Sequence, residues 1–437
     1  MPEKVLILPI DIKSREFDAR LLHALVALER GWTVITGSKT LINRAIWRLP
    51  RGVYLFSTMA QGRLFLARML KKMGYATIGW DEEGLVYADR DLYLAQRISV
   101  ETMRLMDSVH AWGQAHAEDL REVAMAAGHE VKVSGNPRLD LLKPRLRPLY
   151  AKETERIKSR FGNFLLVATN FSWANPHVIT EDKTRDADRF RAEGAQSYIA
   201  YQRRMKQAFI DALDVIAPKV DLRIIVRPHP VENMQAWTDL AQRHENILIE
   251  RSGAIIPWIL ASNALLHSNS TTGVEARLLD KPAIAFVPFS APRHESPLPN
   301  GVSIRVTTAQ ELLDIVLSIQ NGDIPDTQEQ DALLARYVHM QDDLCAYTFV
   351  KEAERLWQTP PPASALTPLL RMHLFLRHGV KSLRYNHPRD IHRRNIYPDT
   401  SLSEIEKRMD EIARAARIDA KYDINVIGKN IYKLYPK

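Results

Sequence analysis

The residues best suited to chemistry lie in three short segments, each of which follows a predicted β-strand. The first is an acidic turn, in which Asp81, Glu82 and Glu83 precede Gly84. Adjacent like charges disfavour joint ionisation, so one carboxyl group can have a raised pKa and take a proton from a hydroxyl group. A solvated acidic turn explains the same residues, and the sequence leaves both interpretations open.

The second segment places a histidine between two prolines. Arg227, Pro228, His229 and Pro230 follow an apolar run. Because proline favours an extended conformation in the residue before it, we expect His229 to be held rigidly just past a strand. A cation beside an imidazole suits a phosphate leaving group, since Arg227 would stabilise its charge and His229 would donate a proton. A structural proline turn with a surface histidine is the alternative.

The third segment is rich in hydroxyl groups and precedes a predicted helix. It spans residues 268–273 and contains Ser268, Ser270, Thr271, Thr272 and Gly273. Hydroxyl side chains cap the free N–H groups in the first turn of a helix, and the same N–H groups bind anions. The segment therefore predicts either a phosphate cradle without a Walker lysine or plain helix capping.

Four further residues are weaker candidates. Glu275, one turn into that helix, would reach a ribose, and Asn170 follows the first predicted strand of the second half of the chain. Lys13 and Arg15 lie in residues 11–17, which we predict to be a loop after the first strand. They would hold an anionic acceptor there, although helix capping explains this segment nearly as well.

Several patterns that would indicate other chemistry are absent from the sequence. There is no GxGxxG, GxxxxGK[ST], HExxH or CxxC motif, and Cys345 is the single cysteine. A zinc site built on several thiolates is therefore excluded. Residues 186–188 match the metal-binding DxD pattern, but they lie in a charged run that is typical of a solvated helix face. We predict no metal and no cofactor.

The bulk composition is that of an ordinary globular protein. The chain has 437 residues, 46% hydrophobic and 26% charged, with a net charge of +8. This length exceeds the limit of about 250–300 residues for a single core, so we expect two domains. The N-terminal apolar run is too short for a signal peptide, and no run approaches the roughly 20 residues of a membrane span. We expect a cytoplasmic protein, either soluble or peripherally attached to a membrane.

Strands and helices alternate along most of the chain, which favours parallel sheets covered on both faces. The fold class predicted is α/β, with two Rossmann-like domains whose parallel sheets face a central cleft, and a mostly helical, basic C-terminal tail. The predicted domains are residues 1–150, 151–358 and 359–437. Ligands in such folds bind at the carboxyl ends of the strands.

The tail contains a basic segment, residues 371–394, in which seven Lys and Arg residues accompany one acid, Asp390. Such a segment would hold the protein on the anionic inner leaflet of a membrane, each cation near the surface contributing about 1 kcal/mol. A solvated face, or packing against the first domain, explains it equally well.

The motifs together resemble those of known sugar transferases. Glu82-Glu83-Gly84 resembles the D/E-D/E-G motif of bacterial sialyltransferases, His229-Pro230 their HP motif, and residues 268–272 the serine/threonine motif that follows. Residues 135–140 are similar to a segment of UDP-GlcNAc 2-epimerase. The resemblance covers about residues 1–300. The chain resembles the related Kdo transferases as well. An asparagine, Asn269, departs from the serine/threonine motif.

This resemblance implies a GT-B glycosyltransferase that moves a ulosonic acid, Kdo or a sialic-type sugar, from a CMP-sugar to a glycan or lipid-linked acceptor. Glu82 or Glu83 would be the catalytic carboxylate, with Glu82 preferred because it aligns as the first acid of the motif, and His229 would be the acid. The residues that would bind the nucleotide are Arg227, Pro230, Ser268, Ser270, Thr271, Thr272, Gly273, Glu275 and Asn170. Alternatives are a transferase using a UDP-sugar or CDP-polyol, a UDP-sugar epimerase, and a basic nucleic-acid-binding protein. The last is disfavoured because no nucleic-acid-binding module is recognisable.

Overall fold

The computed structural model describes residues 3–87, 89–175, 194–229, 232–323, 325–340, 343–359, 361–363, 372 and 396–437. The chain divides into two compact units: the first comprises Met1–Leu85, Arg90–Leu149 and Arg336–Lys437, and the second Val86–Asp89 and Tyr150–Ala335. Residues 336–358 thus belong to the first unit, whereas the sequence analysis placed them in the second domain.

The described strands are β1 (Val5–Ile10), β2 (Thr33–Ser38), β3 (Val53–Phe56), β4 (Ala76–Gly79), β5 (Ser108–Ala111), β6 (Val131–Val133), β7 (Phe164–Ala168), β8 (Arg223–Arg227), β9 (Ile247–Ile249), β10 (Ala264–His267), β11 (Ala283–Phe286), β12 (Ile304–Val306), β13 (Tyr422–Gly428) and β14 (Ile431–Pro436).

The described α-helices are α1 (Lys13–Glu29), α2 (Lys39–Ala45), α3 (Leu64–Lys72), α4 (Arg90–Arg97), α5 (Val100–Met103), α6 (Gln114–Ala127), α7 (Pro137–Asp140), α8 (Ala151–Phe161), α9 (Gly194–Ile216), α10 (Gln235–Arg243), α11 (Ile255–Ala261), α12 (Thr271–Leu278), α13 (Pro297–Gly301), α14 (Ala309–Gln320), α15 (Gln328–Tyr337), α16 (Cys345–Gln358) and α17 (Leu402–Ala416). Short 3-10 helices span Ile46–Arg48, Gln61–Arg63, Pro144–Tyr150 and Ala217–Lys219.

The first unit is built on an eight-stranded sheet in the order β13-β14-β2-β1-β3-β4-β5-β6. Strands β1 to β6 are parallel, and β14 joins them antiparallel to β2. The chain reverses direction across the sheet between β1 and β3, so the loops after these strands flank a topological switch point.

The C-terminal hairpin β13–β14 is a feature that the sequence analysis did not identify. The tail contains the expected helix, α17, and then two strands that extend the sheet of the first unit. The hairpin passes so close to Gly37 that a Cβ there would lie 2.1 Å from the carbonyl oxygen of Asn430. Gly37 has a φ of 131°, and only glycine meets both requirements.

The two faces of this sheet are covered by different helices. Helices α1, α16 and α17 share one core with alternate residues of the central strands, for example Leu8 and Phe349. On the opposite face, Tyr54 donates a hydrogen bond to Asn43 of α2, and the hydroxyl of Tyr75 reaches the carbonyl of Ile46. Burial on both faces is what a parallel sheet needs and explains the nearly continuous apolar strands.

The second unit contains a six-stranded parallel sheet in the order β12-β11-β10-β7-β8-β9. Counted from β7, this is the strand order 3-2-1-4-5-6 of a Rossmann fold. The chain first builds outward through β8 and β9, then returns to place β10 on the other side of β7. The switch point therefore lies between β7 and β10.

One local prediction is wrong. Residues 11–17 are not a loop, because α1 already begins at Lys13 and Glu16 accepts the backbone N–H of Asp11 at 2.8 Å. Among the described residues, no helix is both long and apolar enough to cross a bilayer.

Candidate functional site

Three of the predicted segments meet at one edge of the second unit's sheet. Asn170 lies two residues after β7, His229 two residues after β8, and Ser268 directly after β10. Strands β8, β7 and β10 are adjacent and parallel, so their carboxyl ends share the edge that carries the switch point. Ligands of open α/β sheets bind at such an edge.

The hydroxyl-rich segment forms a rigid turn that starts α12. Ser270 is the N-cap residue, and its hydroxyl accepts the backbone N–H of Thr272 at 3.3 Å. The hydroxyl of Thr272 in turn donates to Ser270 at 2.8 Å. Thr271 is exposed, so the start of the helix is open to an anion.

Asn269, the departure from the sialyltransferase pattern, holds this turn in place. Its backbone adopts a φ of 54°, a left-handed conformation that asparagine tolerates better than most residues. Its Oδ1 accepts the backbone N–H of Ser296 and the Nδ2 of Asn300, both at 2.8 Å, and its Nδ2 donates to Tyr201 at 2.7 Å. The side chain is fully used in positioning the loop.

A buried histidine supports the turn from below. A Cβ on Gly273 would lie 2.2 Å from Nε2 of His267, so α12 can start here only because residue 273 is glycine. His267 is fully buried and pairs through Nε2 with the hydroxyl of Ser303 at 2.8 Å. Burial lowers the pKa of His267 to about 3, so the ring is neutral at physiological pH. Glu275 lies farther along α12 and is half-buried.

The loop that carries His229 is fixed by a residue that the sequence analysis missed. Glu232 is fully buried, and its Oε1 accepts three hydrogen bonds: from the hydroxyl of Thr169 at 2.8 Å, from the backbone N–H of Phe171 at 2.9 Å and from that of His229 at 3.2 Å. Its Oε2 accepts the indole N–H of Trp237 at 3.2 Å. One carboxylate therefore ties the loop after β7 to the loop after β8. An acid three residues beyond His229 and just before a helix was the available signal.

His229 itself is exposed, as a residue that contacts a ligand must be. Arg227 is placed differently from what we expected. Its guanidinium donates to the carbonyls of Ser252 at 2.8 Å and Gly253 at 3.0 Å and lies 4.7 Å from the ring of Trp258. Burial lowers the pKa of Arg227 to about 10, which leaves it charged. The guanidinium N–H groups of Arg227 thus hold the loop after β9 in place. Pro230 lies outside the described residues.

In the first unit, the three acids of the predicted turn occupy different environments. Asp81 has no exposed side-chain area and accepts three contacts of 3.0–3.2 Å from Arg97. Burial raises the pKa of Asp81 to about 6, although Arg97 opposes the shift. Its backbone carbonyl accepts the indole N–H of Trp112 at 2.7 Å, which fixes the start of the turn.

Glu82 is sealed inside the unit. It is ion-paired with Arg20 of α1, and its other oxygen accepts Nδ2 of Asn136 at 3.4 Å. Burial raises the pKa of Glu82, but Arg20, Arg138 and Arg15 outweigh burial and hold the pKa below its ordinary value. A buried carboxylate with a lowered pKa accepts a proton poorly.

Glu83 is the acid of this turn that solvent reaches, with 45% of its side chain exposed. Arg15, in the first turn of α1, donates to it at 2.6 Å and also contacts the buried Glu16 at 3.3 Å. Lys13 is paired with Glu404 of α17 at 2.6 Å. Both cations proposed for acceptor binding therefore have acidic partners.

Residues 135–140, the segment similar to UDP-GlcNAc 2-epimerase, form a turn that leads into α7. Asn136 caps α7 by accepting the N–H of Arg138 at 2.8 Å while it also contacts Glu82. Gly135 has a φ of 72° and packs against Cys345. The motif thus braces the acidic turn from the neighbouring part of the sheet.

Besides Pro230, two candidates from the sequence lie outside the described residues: the DxD pattern at 186–188 and, apart from Met372, the basic segment 371–394. Within the described parts of the chain, no group of three or more His, Cys, Asp or Glu side chains is placed to hold a metal ion.

No protein-family model matches this chain, and no curated protein sequence matches it either. Solved structures do. A UDP-N-acetylglucosamine 2-epimerase aligns with a TM-score of 0.53 and 13% identity over 84% of this chain and 99% of that chain. A Listeria monocytogenes protein described as the same enzyme gives a TM-score of 0.52 with the same identity and coverage. The UDP-GlcNAc 2-epimerase of Methanocaldococcus jannaschii, solved with UDP-GlcNAc and UDP, gives 0.50 at 13% identity over 81% of this chain and 99% of that chain.

These similarities extend over nearly the whole length of the compared chains, so they cover both units of this protein. At 13% identity they establish the fold. The prediction of an α/β fold with two Rossmann-like domains is thereby confirmed.

Proposed function

We propose that this chain is a nucleotide-sugar-dependent enzyme of surface-glycan synthesis, a glycosyltransferase that binds its donor at the switch point of the second unit. The observation that carries the proposal is the convergence of Asn170, His229 and the start of α12 on one sheet edge. An exposed imidazole donates a proton or a hydrogen bond to a departing phosphate, and the free N–H groups at the start of a helix bind its negative charge.

The favoured donor is a UDP-sugar. An enzyme of similar fold was solved with UDP-GlcNAc and UDP, whereas the CMP-ulosonic acid interpretation depends on short motifs alone. Asn269 weakens those motifs further, because its side chain is committed to the loop around Ser296 and Asn300. Transfer of a Kdo or sialic-type sugar from CMP is the second candidate, supported by the order of the motifs along the chain.

In the proposed reaction, the bond between the anomeric carbon and the phosphate oxygen breaks, and an acceptor hydroxyl forms the new bond. The N–H groups at the start of α12, with Thr271 and Thr272, hold the phosphates. His229 donates a proton or a hydrogen bond to the departing oxygen. Arg227 acts indirectly, because its donors already bind the carbonyls of Ser252 and Gly253.

The candidate base for the acceptor hydroxyl is Glu83 rather than Glu82. The side chain of Glu83 is 45% exposed, so an acceptor hydroxyl can reach its carboxylate. Glu82 is 3% exposed and neutralised by Arg20, so its protonation would break a buried ion pair.

The proposal is tested first by nucleotide binding. Thermal unfolding of the full chain is measured with UDP, CMP, CDP and RNA, since a ligand that binds the folded state raises the melting temperature. UDP is expected to give the largest shift. Stabilisation by RNA alone, or by none of the four, contradicts the proposal.

The reaction is then followed with a panel of UDP- and CMP-sugars, with and without a lipid-linked acceptor extract. Acceptor-dependent release of UDP is the expected result. Conversion of a UDP-sugar to a stereoisomer without acceptor would identify the epimerase alternative instead. His229→Ala is expected to lower the rate about 10²–10³-fold, whereas His129→Ala, a partly exposed histidine of the first unit, serves as the matched control and leaves it unchanged.

A further inference from the structure

One stretch of the first unit is strongly basic and contains no acids. From Lys39 to Trp80 the sequence has eight Lys and Arg residues and no Asp or Glu. The stretch begins with α2, which directly follows β2, and it also includes the 3-10 helix Ile46–Arg48 and α3. This excess is distinct from the basic segment 371–394 of the tail.

The helices of this stretch lie on the sheet face opposite to α1. Tyr54 links that face to Asn43 of α2. The hydroxyl of Tyr75 contacts the carbonyls of Ile46, Leu49 and Pro50, which brings the end of the 3-10 helix beside the end of α3. The cations on these two segments therefore lie on the same side of the sheet.

Four of these cations point to solvent: Arg48, Arg51, Arg68 and Lys72 are all exposed. In the described part of the chain, no ion pair of 4 Å or less involves any of them, whereas Lys71 is paired with Asp107 at 2.5 Å. An acid does face Arg68, namely the exposed Glu101 of α5. The surface still keeps a net positive charge, unlike the acidic turn of the same unit, where each acid has an arginine partner.

Apolar rings accompany the cations. Phe65 is 49% exposed on α3, one turn before Arg68, and Arg48 lies over the ring of Trp47 at 4.4 Å. Exposed aromatic rings among cations are typical of segments that lie at a bilayer interface, where the ring enters the headgroup region and the cations meet anionic lipid. A nucleic-acid duplex would use the cations through its phosphates but not the exposed ring of Phe65. A single strand stacks bases on exposed rings, so the RNA-binding measurement below separates it from a bilayer.

We propose that this surface, defined by Arg48, Arg51, Phe65, Arg68 and Lys72, binds the protein to an anionic lipid bilayer. The binding is peripheral and reversible, and it depends on salt because it is largely electrostatic. A lipid-linked acceptor would lie in the same bilayer, but the surface does not depend on the proposed reaction. Failure of one proposal leaves the other standing.

The test is sedimentation of the full chain with vesicles of phosphatidylcholine alone or with phosphatidylglycerol added. The patch variant is R48Q/R51Q/R68Q/K72Q. The control, R121Q/K152Q/K219Q/K351Q, removes the same charge from exposed sites elsewhere. At roughly fivefold per cation, the patch variant is expected to bind anionic vesicles about 10²–10³-fold more weakly, and the control much less so. F65A is expected to weaken binding without changing its salt dependence.

Two results would overturn the proposal. One is equal binding of the wild type and the patch variant to anionic vesicles, which would assign any membrane contact to residues 371–394. The other is loss of RNA binding in the patch variant with vesicle binding unchanged. Thermal unfolding of both quadruple variants confirms that they remain folded, since exposed substitutions of this kind change stability little.

Discussion

The carboxylate of Glu82 is ion-paired with the guanidinium of Arg20, and the two side chains are only 3% and 2% exposed. They come from the loop after β4 and from α1, so the pair fastens the acidic turn to the helix beside it. Arg20 also donates to the carbonyl of Pro9 at 3.3 Å and lies over the ring of Trp80. This geometry assigns Glu82 to the framework and leaves Glu83 as the accessible acid.

Removal of one partner is therefore expected to destabilise the first unit. Glu82→Ala leaves the charge of Arg20 unpaired in the interior, and breaking a buried ion pair lowers the free energy of unfolding by about 3–5 kcal/mol. The double variant Arg20→Met with Glu82→Leu replaces both charges by apolar groups and is expected to be much closer to wild type. Denaturant unfolding of the three proteins measures this. A Glu82→Ala protein that is fully stable but inactive would instead make Glu82 catalytic.

Glu83→Gln is expected to show the opposite behaviour. The side chain is exposed, so the free energy of unfolding should change by less than about 1 kcal/mol. Turnover should fall if Glu83 takes the proton from the acceptor, while nucleotide-induced stabilisation remains. Normal turnover in the variant would remove Glu83 from the reaction.

Glu232 is expected to be the most sensitive acid of the second unit. Glu232→Ala leaves four donors without their acceptor, three of them buried, including the hydroxyl of Thr169 and the indole of Trp237. Each orphaned donor costs about 1–3 kcal/mol, so loss of several kcal/mol is expected. Glu232→Gln keeps one acceptor oxygen, but its amide N–H₂ faces another donor, and it should be intermediate. Unfolding midpoints order the three proteins, and equal midpoints would contradict the assignment.

Before the C-terminal hairpin, the alternation of strands and helices was predictable, because buried parallel strands are nearly continuous apolar runs whereas helices have apolar residues at helical spacing. The loops that carry chemistry were located as well, since they follow strands. The hydrogen-bond and ion-pair partners of polar side chains could not be predicted from the local sequence pattern. Arg20 lies 62 residues from Glu82, and Glu232 binds Thr169 from 63 residues away. The role of Asn269 was hidden for the same reason, because Ser296 and Asn300 reach it only in the folded chain.

Ser270 provides a test that separates capping from ligand binding. Ser270→Ala removes the N-cap of α12 and should cost about 1 kcal/mol. Thr308→Ala is the matched control, because Thr308 caps α14 of the same unit by accepting the N–H of Glu311 at 3.1 Å. Both variants should lose similar stability, but only Ser270→Ala should lose the thermal shift given by the nucleotide. Equal shifts in both variants would limit Ser270 to capping.

Four buried histidines are expected to make the protein sensitive to mild acid. Burial lowers the pKa of His23, His116 and His267 to about 3 and that of His110 to about 4. In the unfolded chain these rings titrate near 6.5, so below that pH the unfolded state binds more protons and gains free energy over the folded state. Each ring then lowers the free energy of unfolding by about 1.4 kcal/mol per pH unit.

The raised pKa of Asp81, about 6, has the opposite sign. Between pH 6 and 4 the folded state binds this proton before the unfolded state does, which offsets one of the four histidines. The net expectation is a steep loss of stability from pH 6.5 downward and little change between pH 7 and 8. Melting temperatures at half-unit pH intervals measure the slope. His23→Leu should make the slope shallower, because leucine does not titrate. The substitution breaks no hydrogen bond, since in the described structure neither ring nitrogen of His23 has a hydrogen-bond partner. An unchanged slope would show that His23 is not among the groups responsible.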